Sequence, residues 1–460
     1  MSRLVIVSNR VADPNQAHGG LDVCVLDALR KRGGIWFGWN GEIASNGACL
    51  EIGCTKLDKL TFVTTPLAER DYNEYYLGFA NAALWPVHHY RLDLARFMPE
   101  SVEGYRRVNE RFADMLAPLL RRDDIVWVQD YHLIPLGAAL RARGVANRIG
   151  FFLHIPFPSP EVFVATPEHE WLMHAYAEYD LVGFQTKTDH LNFCRFVTEC
   201  MGGRIVSADM LQVAGKVFSA GFFPVGIDVD SFVAMADSPD AARHVRRMRK
   251  TSAPRIRVIG VDRLDYTKGL PDRLRSFKRL LELYPENRKR AALLQIAPPT
   301  REDVQAYAEI RRELEGLSGE INGELGDFDW TPVHYIHRRL SRETLAALYR
   351  ASRVGLVTPL RDGMNLVAKE YVAAQDGTNP GVLVLSRFAG AAEDLEEALI
   401  VNPYDVDEVA HVTQRAIVMP LAERIDRHHA LLARLREHDA RNWTREFLQA
   451  LDASRMAVAA

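Results

Sequence analysis

The sequence predicts an α/β protein built from two parallel-sheet domains, and three observations carry that expectation. Short β-branched or aromatic runs alternate with helical patterns along the chain. These runs fall into two sets, and a stretch marked by Pro224, Gly226 and Pro254 separates them. The strand-like runs are largely apolar, as suits strands covered by helices on both faces.

The first set comprises the runs at 4–8, 125–129, 149–154 and 181–185. Between the sets, Phe222 to Asp230 and a polar helix lead to a break at 251–254, which places the domain boundary near residue 226. The second set follows at 256–261, 293–297, 354–359 and 382–386. A long helix is expected at 422–437, and a separate helical pattern at 440–453 is expected to fold back on the first domain. The resulting division is 1–226 and 227–439, with 440–453 belonging to the first half.

A chain of 460 residues, 48% hydrophobic and 25% charged, has the balance of a globular protein of two or three domains. Lys and Arg number 57 against 60 Asp and Glu, so the net charge of -3 offers no general attraction to nucleic acid. The basic stretch from Arg243 to Arg257 reads as a solvated helix face before a linker. No run is long and apolar enough to span a bilayer, and the first residues lack a signal-peptide core, so neither a membrane nor export is expected. The cytoplasm is the expected location. Five cysteines, Cys24, Cys49, Cys54, Cys194 and Cys200, contain no CxxC pair and read as reduced thiols.

Several suggestive patterns carry no chemistry. His169 and His174 are five residues apart, about 140° around a helix, so they cannot share a metal from one face. Asp228, Asp327 and Asp405 each begin an Asp-x-Asp pair better explained by capping or turns. No two glycines stand two apart, which excludes the GxGxxG dinucleotide fingerprint, and the GxxxxGK phosphate loop is missing too.

In open α/β sheets ligands sit beyond the carboxyl ends of the strands, so the residues that follow each run are the ones to read. After 4–8 come Asn9 and Arg10, then a polar loop to Gly19-Gly20-Leu21. Asp130, Tyr131 and His132 follow 125–129. His154-Ile155-Pro156 opens a proline-stiffened loop that cannot be helical. In the second half, Arg263 and Lys268 stand five apart just before a helix beginning near Leu270, where two cations and a helix N-terminus suit a diphosphate. After 354–359, Asp362 lies in a loop with Gly363, and Glu370 lies a turn inside the next helix. Together these carboxylates suit sugar and ribose hydroxyls.

With these motifs assembled, the chain resembles the trehalose-6-phosphate synthases, retaining glucosyltransferases that join UDP-glucose to glucose 6-phosphate. The resemblance covers nearly the whole chain. It rests on SNR at 8–10, GGL at 19–21, WFGW at 36–39, EYYLGFANAALWP at 74–86, DYHL at 130–133, FFLHIPFPSPE at 151–161, DRLDYTKGLP at 262–271 and TPLRDGMNLVAKEY at 358–371.

The resemblance implies the GT-B architecture, two Rossmann-like domains facing across a cleft, with acceptor residues in the first and the nucleotide sugar in the second. It implies that Arg10, Tyr76, Trp85, Asp130 and Arg301 surround glucose 6-phosphate. Gly20, His154, Arg263, Lys268, Asp362, Met364, Asn365, Leu366 and Glu370 are implied to hold the donor, with Leu340 near the nucleobase. Asp130, His154, Arg263 and Lys268 would act in catalysis, and Trp85 with Ile155 would select the α-anomer of the acceptor. No cofactor and no metal are called for, and a homo-oligomer is compatible with the sequence.

A nucleoside diphosphate leaves readily once its charge is stabilised, so cations take the place of the protonating acid that a glycosidase needs. Two other readings stand beside this one. A related transferase would use another phosphorylated acceptor such as glycerol 3-phosphate, against which the EYY and LWP segments argue. A catalytically silent sugar-phosphate-binding relative would lack some of the expected charged residues.

Overall fold

The computed structural model describes residues 2–12, 25–26, 28–30, 32–45, 47, 50–250, 256–300 and 305–458, with no side-chain detail at 247–250, 305 or 455–458. The chain forms two compact units, Met1–Pro224 with Ala440–Ala460, and Val225–Asp439.

The first unit holds strands β1 (Leu4–Arg10), β2 (Gly34–Ala44), β3 (Gly53–Leu57), β4 (Leu60–Ala68), β5 (Ile125–Gln129), β6 (Arg148–Phe152), β7 (Leu181–Phe184), β8 (Arg204–Ser207), β9 (Met210–Val213) and β10 (Lys216–Phe222). Among the described residues they form one sheet in the order β3-β4-β2-β1-β5-β6-β7-β10-β9-β8. From β4 to β10 every neighbouring pair is parallel. The chain runs outward one way from β1, then returns to β5 and runs outward the other way. The gap beyond the ends of β1 and β5 is therefore the switch point, where a ligand of such a sheet binds.

The sheet is not parallel at its rims, contrary to the simplest reading of the sequence. β3 pairs with β4, and β9 with both β8 and β10, in antiparallel fashion. The β9–β10 turn is made by Ala214 and Gly215, both at positive φ (48° and 81°), the geometry that matches strand twist across a two-residue hairpin. β6 and the later strand Val354–Val357 stop short of the expected 154 and 359 because the chain leaves each sheet as its proline loop begins.

One face of this sheet is covered by the helix Ala440–Val458. Its Phe447 stacks on Trp127 of β5 at 4.6 Å, and its Trp443 meets the same ring at 4.8 Å. The close approach needs glycine beneath it: a Cβ at Gly183 would fall 2.7 Å from the Phe447 ring. Truncating a buried aromatic of this kind costs about 3–5 kcal/mol.

The second unit holds β11 (Ile256–Val261), β12 (Ala291–Ile296), β13 (Val333–Ile336), β14 (Val354–Val357), β15 (Val382–Ser386) and β16 (Leu399–Val401). Their order is β13-β12-β11-β14-β15-β16, parallel at every step. Counted from β11, this is the 3-2-1-4-5-6 order of dinucleotide-binding folds, with its switch point between β11 and β14. Ile259, Val261, Leu294, Val357 and Leu383 build one core with Ala368, Tyr371 and Val372 of the helix Leu366–Ala374.

Candidate active site

At the first unit's switch point, β1 ends in Arg10, whose guanidinium lies 5.7 Å from the centre of the Trp39 ring. Trp39 in turn meets Tyr76 at 5.5 Å, and Tyr76 stacks on His132 at 5.8 Å. Tyr76 comes from a stretch of π-helix, Tyr72–Leu84, which leads directly into Trp85. Wide helical turns are uncommon and occur frequently at functional sites. This one is pinned from outside: the buried Asp71 accepts from Arg107 at 2.6 Å and from Arg111 at 3.1 Å. From inside, Asn81 donates to the Tyr76 carbonyl at 2.7 Å and accepts from the Tyr131 hydroxyl at 2.8 Å. Trp85 is buried 5.7 Å from Tyr131.

Asp130 follows β5 with φ 73° and ψ 164°, a conformation that a residue with a side chain adopts only under constraint. The constraint is visible. Its N–H donates to the Phe152 carbonyl at 2.8 Å, and its carboxylate accepts from the His154 N–H at 3.1 Å. The strained turn thus joins the ends of β5 and β6 and fixes the direction of the Asp130 carboxylate.

His154 sits between two amides supplied by the neighbouring strands. Its Nε2–H donates to Gln129 Oε1 at 2.8 Å, and its Nδ1 accepts from Gln185 Nε2 at 3.3 Å. These partners select one neutral tautomer. Burial pushes the imidazole pKa down to about 3. His154 is therefore a hydrogen-bonding group at neutral pH and not a proton shuttle. Ile155, next in the chain, is buried at the root of the proline loop.

At the second unit's switch point, the loop after β11 carries Arg263, which is exposed, and Lys268, which is buried. Lys268 Nζ pairs with Asp362 Oδ2 at 2.5 Å. Asn365, at φ 78°, caps the helix Leu366–Ala374 by accepting from the Ala368 N–H at 3.2 Å. The Asn365 amide donates to Asp362 at 3.0 Å and towards Asp262 at 3.4 Å. The backbone of this loop is held on both flanks: Asp362 N–H donates to the Phe388 carbonyl at 3.0 Å, and Gly390 and Ala391 donate to the carbonyls of Asp362 and Met364 at 3.1 and 2.8 Å.

Beneath the loop lies a fully buried guanidinium. Arg273 donates to Asp262 at 2.7 Å, to the Thr358 hydroxyl at 3.0 Å and to Gln295 at 3.2 Å, tying together the ends of β11, β12 and β14. Gly260 gives it passage, since a Cβ there would lie 2.7 Å from the guanidinium. Burial pushes the Asp262 carboxyl above its usual range, although Arg273 and Lys268 pull the other way.

Glu370 lies a turn inside the helix opened by Asn365, and no group among the described residues donates to its carboxylate. Burial pushes its pKa up to about 7, against the pull of Arg342. A desolvated carboxylate without donors is suited to a ligand that brings hydroxyls. Leu340 and Leu366 are partly buried against the same core, in which Met364 is fully packed.

Thus Arg10, Tyr76, Trp85, Asp130, His154 and Ile155 gather at one switch point, and Arg263, Lys268, Asp362, Met364, Asn365, Leu366 and Glu370 at the other. Gly20 and Arg301 lie outside the described residues. The aspartate patterns set aside above have structural roles: Asp228 accepts from the Ser231 N–H at 3.0 Å, Asp405 from that of Glu408 at 2.9 Å, and Asp327 pairs with Lys289. His169 Nδ1–H donates to the Thr166 carbonyl at 2.8 Å.

Reading the sequence missed three participants. Gln129 and Gln185 each end an apolar strand-like run, and that shared position was the available signal. Arg273 interrupts the apolar face formed by Leu270, Leu274 and Phe277, a departure that marks a buried cation.

The family model for glycosyltransferase family 20 matches residues 7–453. A trehalose-6-phosphate synthase from Klebsiella pneumoniae is 50% identical over 454 residues, covering 98% of this chain and 95% of that protein. The crystal structure of a UDP-forming alpha,alpha-trehalose-phosphate synthase from Burkholderia xenovorans, in complex with glucose-6-phosphate, superposes with a TM-score of 0.95 at 50% identity, over 98% of this chain and 100% of that one. An Escherichia coli relative bound with UDP-2-fluoro glucose superposes with a TM-score of 0.93 at 47% identity, over 98% and 99% of the two chains. On this evidence the chain belongs to glycosyltransferase family 20.

Proposed function

We propose that this glycosyltransferase moves glucose from UDP-glucose to the anomeric oxygen of glucose 6-phosphate, with retention, giving α,α-trehalose 6-phosphate and UDP. The observation that carries the reading is the division of labour between the two switch points. One is aromatic and bears a single exposed guanidinium with a fixed carboxylate. The other is a charged loop with an undonated carboxylate nearby. The first suits a sugar phosphate and the second a nucleotide sugar.

In the first unit, Arg10 serves the acceptor phosphate, a role the resemblance also gives to Arg301. Asp130 orients the sugar, while Tyr76, Trp85 and Ile155 shape the pocket and favour the α-anomer. The resemblance also gives Gly20 and His154 a share in holding the donor, His154 as a neutral hydrogen-bonding group. In the second unit, Arg263 and Lys268 take the diphosphate, Asp362 and the Met364-Asn365-Leu366 backbone hold the glucosyl group, Glu370 takes the ribose hydroxyls, and Leu340 borders the base.

Transfer proceeds on one face of the sugar. The bond from the anomeric carbon to the β-phosphate oxygen breaks, the bond to the acceptor oxygen forms, and the acceptor's proton passes to the departing phosphate oxygen. Charge grows on that oxygen in the transition state, which is where Arg263, Lys268 and the helix N-terminus after Gly363 act. Both substrates are anions that do not cross membranes unaided, and we place the reaction in the cytoplasm.

The test is UDP release from UDP-glucose with glucose 6-phosphate, glucose or glycerol 3-phosphate as acceptor. Rapid release with glucose 6-phosphate alone is expected. Equal rates with glycerol 3-phosphate would overturn the acceptor assignment, and no release with any acceptor would make the chain a binding protein.

A further inference from the structure

The ion pair between Lys268 and Asp362 sets a problem for a site that takes a diphosphate. Lys268 is buried and its ammonium faces a carboxylate at 2.5 Å. The buried cation beneath it, Arg273, is likewise committed to Asp262 at 2.7 Å. Two cations therefore face two carboxylates, and this inner part of the loop offers no net positive charge to an incoming anion. For Lys268 to meet a phosphate, Asp362 must let it go.

Asp362 is built to do so by side-chain rotation alone. Its backbone is clamped, with the N–H on Phe388 and the carbonyl on Gly390. Both of its side-chain bonds, from Lys268 and from Asn365, fall on Oδ2. Among the described residues nothing donates to Oδ1. A sugar hydroxyl can therefore bond Oδ1 first and draw the carboxylate round, while Asn365, already directed at Asp262 as well, keeps a partner when Asp362 turns.

We propose that Asp362 is the residue by which the site tells loaded donor from spent nucleotide, pairing with Lys268 when no glucosyl group is present and releasing the ammonium to the diphosphate when sugar hydroxyls take its place. The proposal rests on the reading of this switch point as the donor site. UDP-glucose supplies the hydroxyls that replace Lys268 on Asp362. UDP supplies none, so Asp362 keeps its hold on Lys268 and the ammonium does not reach the terminal phosphate. After transfer the carboxylate returns to Lys268 and the product nucleotide is weakened. Asp362 thus determines specificity between substrate and product, beyond its contact with the sugar.

The experiment measures binding of UDP and, without acceptor, of UDP-glucose by calorimetry, in the parent, Asp362→Asn, Lys268→Met and the double variant. Asp362→Asn is expected to bind UDP about tenfold more tightly than the parent, a change of about 1.4 kcal/mol, and to bind UDP-glucose no more tightly. Lys268→Met is expected to weaken both ligands. In its background the gain from Asp362→Asn should shrink to less than about threefold, because no ammonium remains to be released. If Asp362→Asn fails to fold, Asp362→Ser carries the same expectation, and UDP product inhibition of the parent's turnover should be weaker than that of the variant. Equal weakening of UDP and UDP-glucose in Asp362→Asn would overturn the proposal while leaving the donor site in place. A parent that binds UDP but not UDP-glucose would overturn the donor reading itself, and the proposal with it.

Discussion

The two switch points solve the problem of binding charged ligands in opposite ways. In the first unit the inner wall of the site is set by neutral contacts: stacked aromatic rings, a π-helix held from within by Asn81, and a histidine locked in one tautomer by two glutamines. In the second unit it is set by charges that already have partners, Lys268 with Asp362 and Arg273 with Asp262. Binding to the first need only fill a shape that exists. Binding to the second exchanges one ion pair for another, so discrimination there resides in what the ligand offers in return.

If charge is used at the second site in the transition state, removing it costs rate more than binding. Lys268→Ala should lower kcat by about 100–1000-fold with a smaller change in the donor KM, measured at saturating acceptor. A rise in KM with unchanged kcat would mean that Lys268 serves the ground state alone, and the contrast between the sites would weaken.

A smaller effect is expected in the first unit, where Arg10 is the exposed guanidinium. Arg10→Ala should cost about 10–100-fold in kcat/KM for glucose 6-phosphate and little for glucose, since charge-assisted bonds to phosphate contribute about 1.5–3 kcal/mol. Equal losses for both acceptors would place Arg10 outside the phosphate site.

Glu370 sharpens the comparison through pH. Its carboxyl is raised by burial from the usual 4.5 to about 7, and in the proposed role ribose hydroxyls donate to the ionised form. The donor KM should therefore fall several-fold between pH 6 and 8, and Glu370→Gln should abolish the trend while raising KM about tenfold at pH 8. Stability moves the other way. The folded state holds a proton that the unfolded chain has lost, so this stabilisation is present below about 4.5 and fades as pH rises through about 7. Thermal melts of the ligand-free parent and of Glu370→Gln should diverge across that interval.

The smallest effect is expected at His154. Because its ring is neutral above about pH 3, His154→Gln should lower activity about tenfold or less and leave the shape of the pH–rate profile between 5 and 8 unchanged. Loss of an inflection in that range would restore His154 as an acid or base.

What was legible in the sequence follows from the range of the interactions involved. Strand ends and the polar residues just beyond them are local features, so Arg10, Asp130, His154, Lys268 and Asp362 were recognisable from their position after an apolar run. The pairing of Lys268 with Asp362 was not, because 94 residues separate them and each is plausible as a separate ligand contact. The π-helix at Tyr72–Leu84 was also hidden, since its register depends on Arg107 and Arg111 of another helix rather than on its own periodicity. The rim strands β3 and β8, exposed along their length, carry no buried apolar run of the kind that revealed the inner strands.

The most direct measurement is the proton NMR spectrum of the product formed from UDP-glucose and glucose 6-phosphate. Transfer with retention onto an α-anomer selected beside Trp85 and Ile155 predicts one non-reducing disaccharide phosphate, with both anomeric protons showing the small coupling of α linkages. A large anomeric coupling, a remaining reducing end, or free glucose as the main product would contradict it.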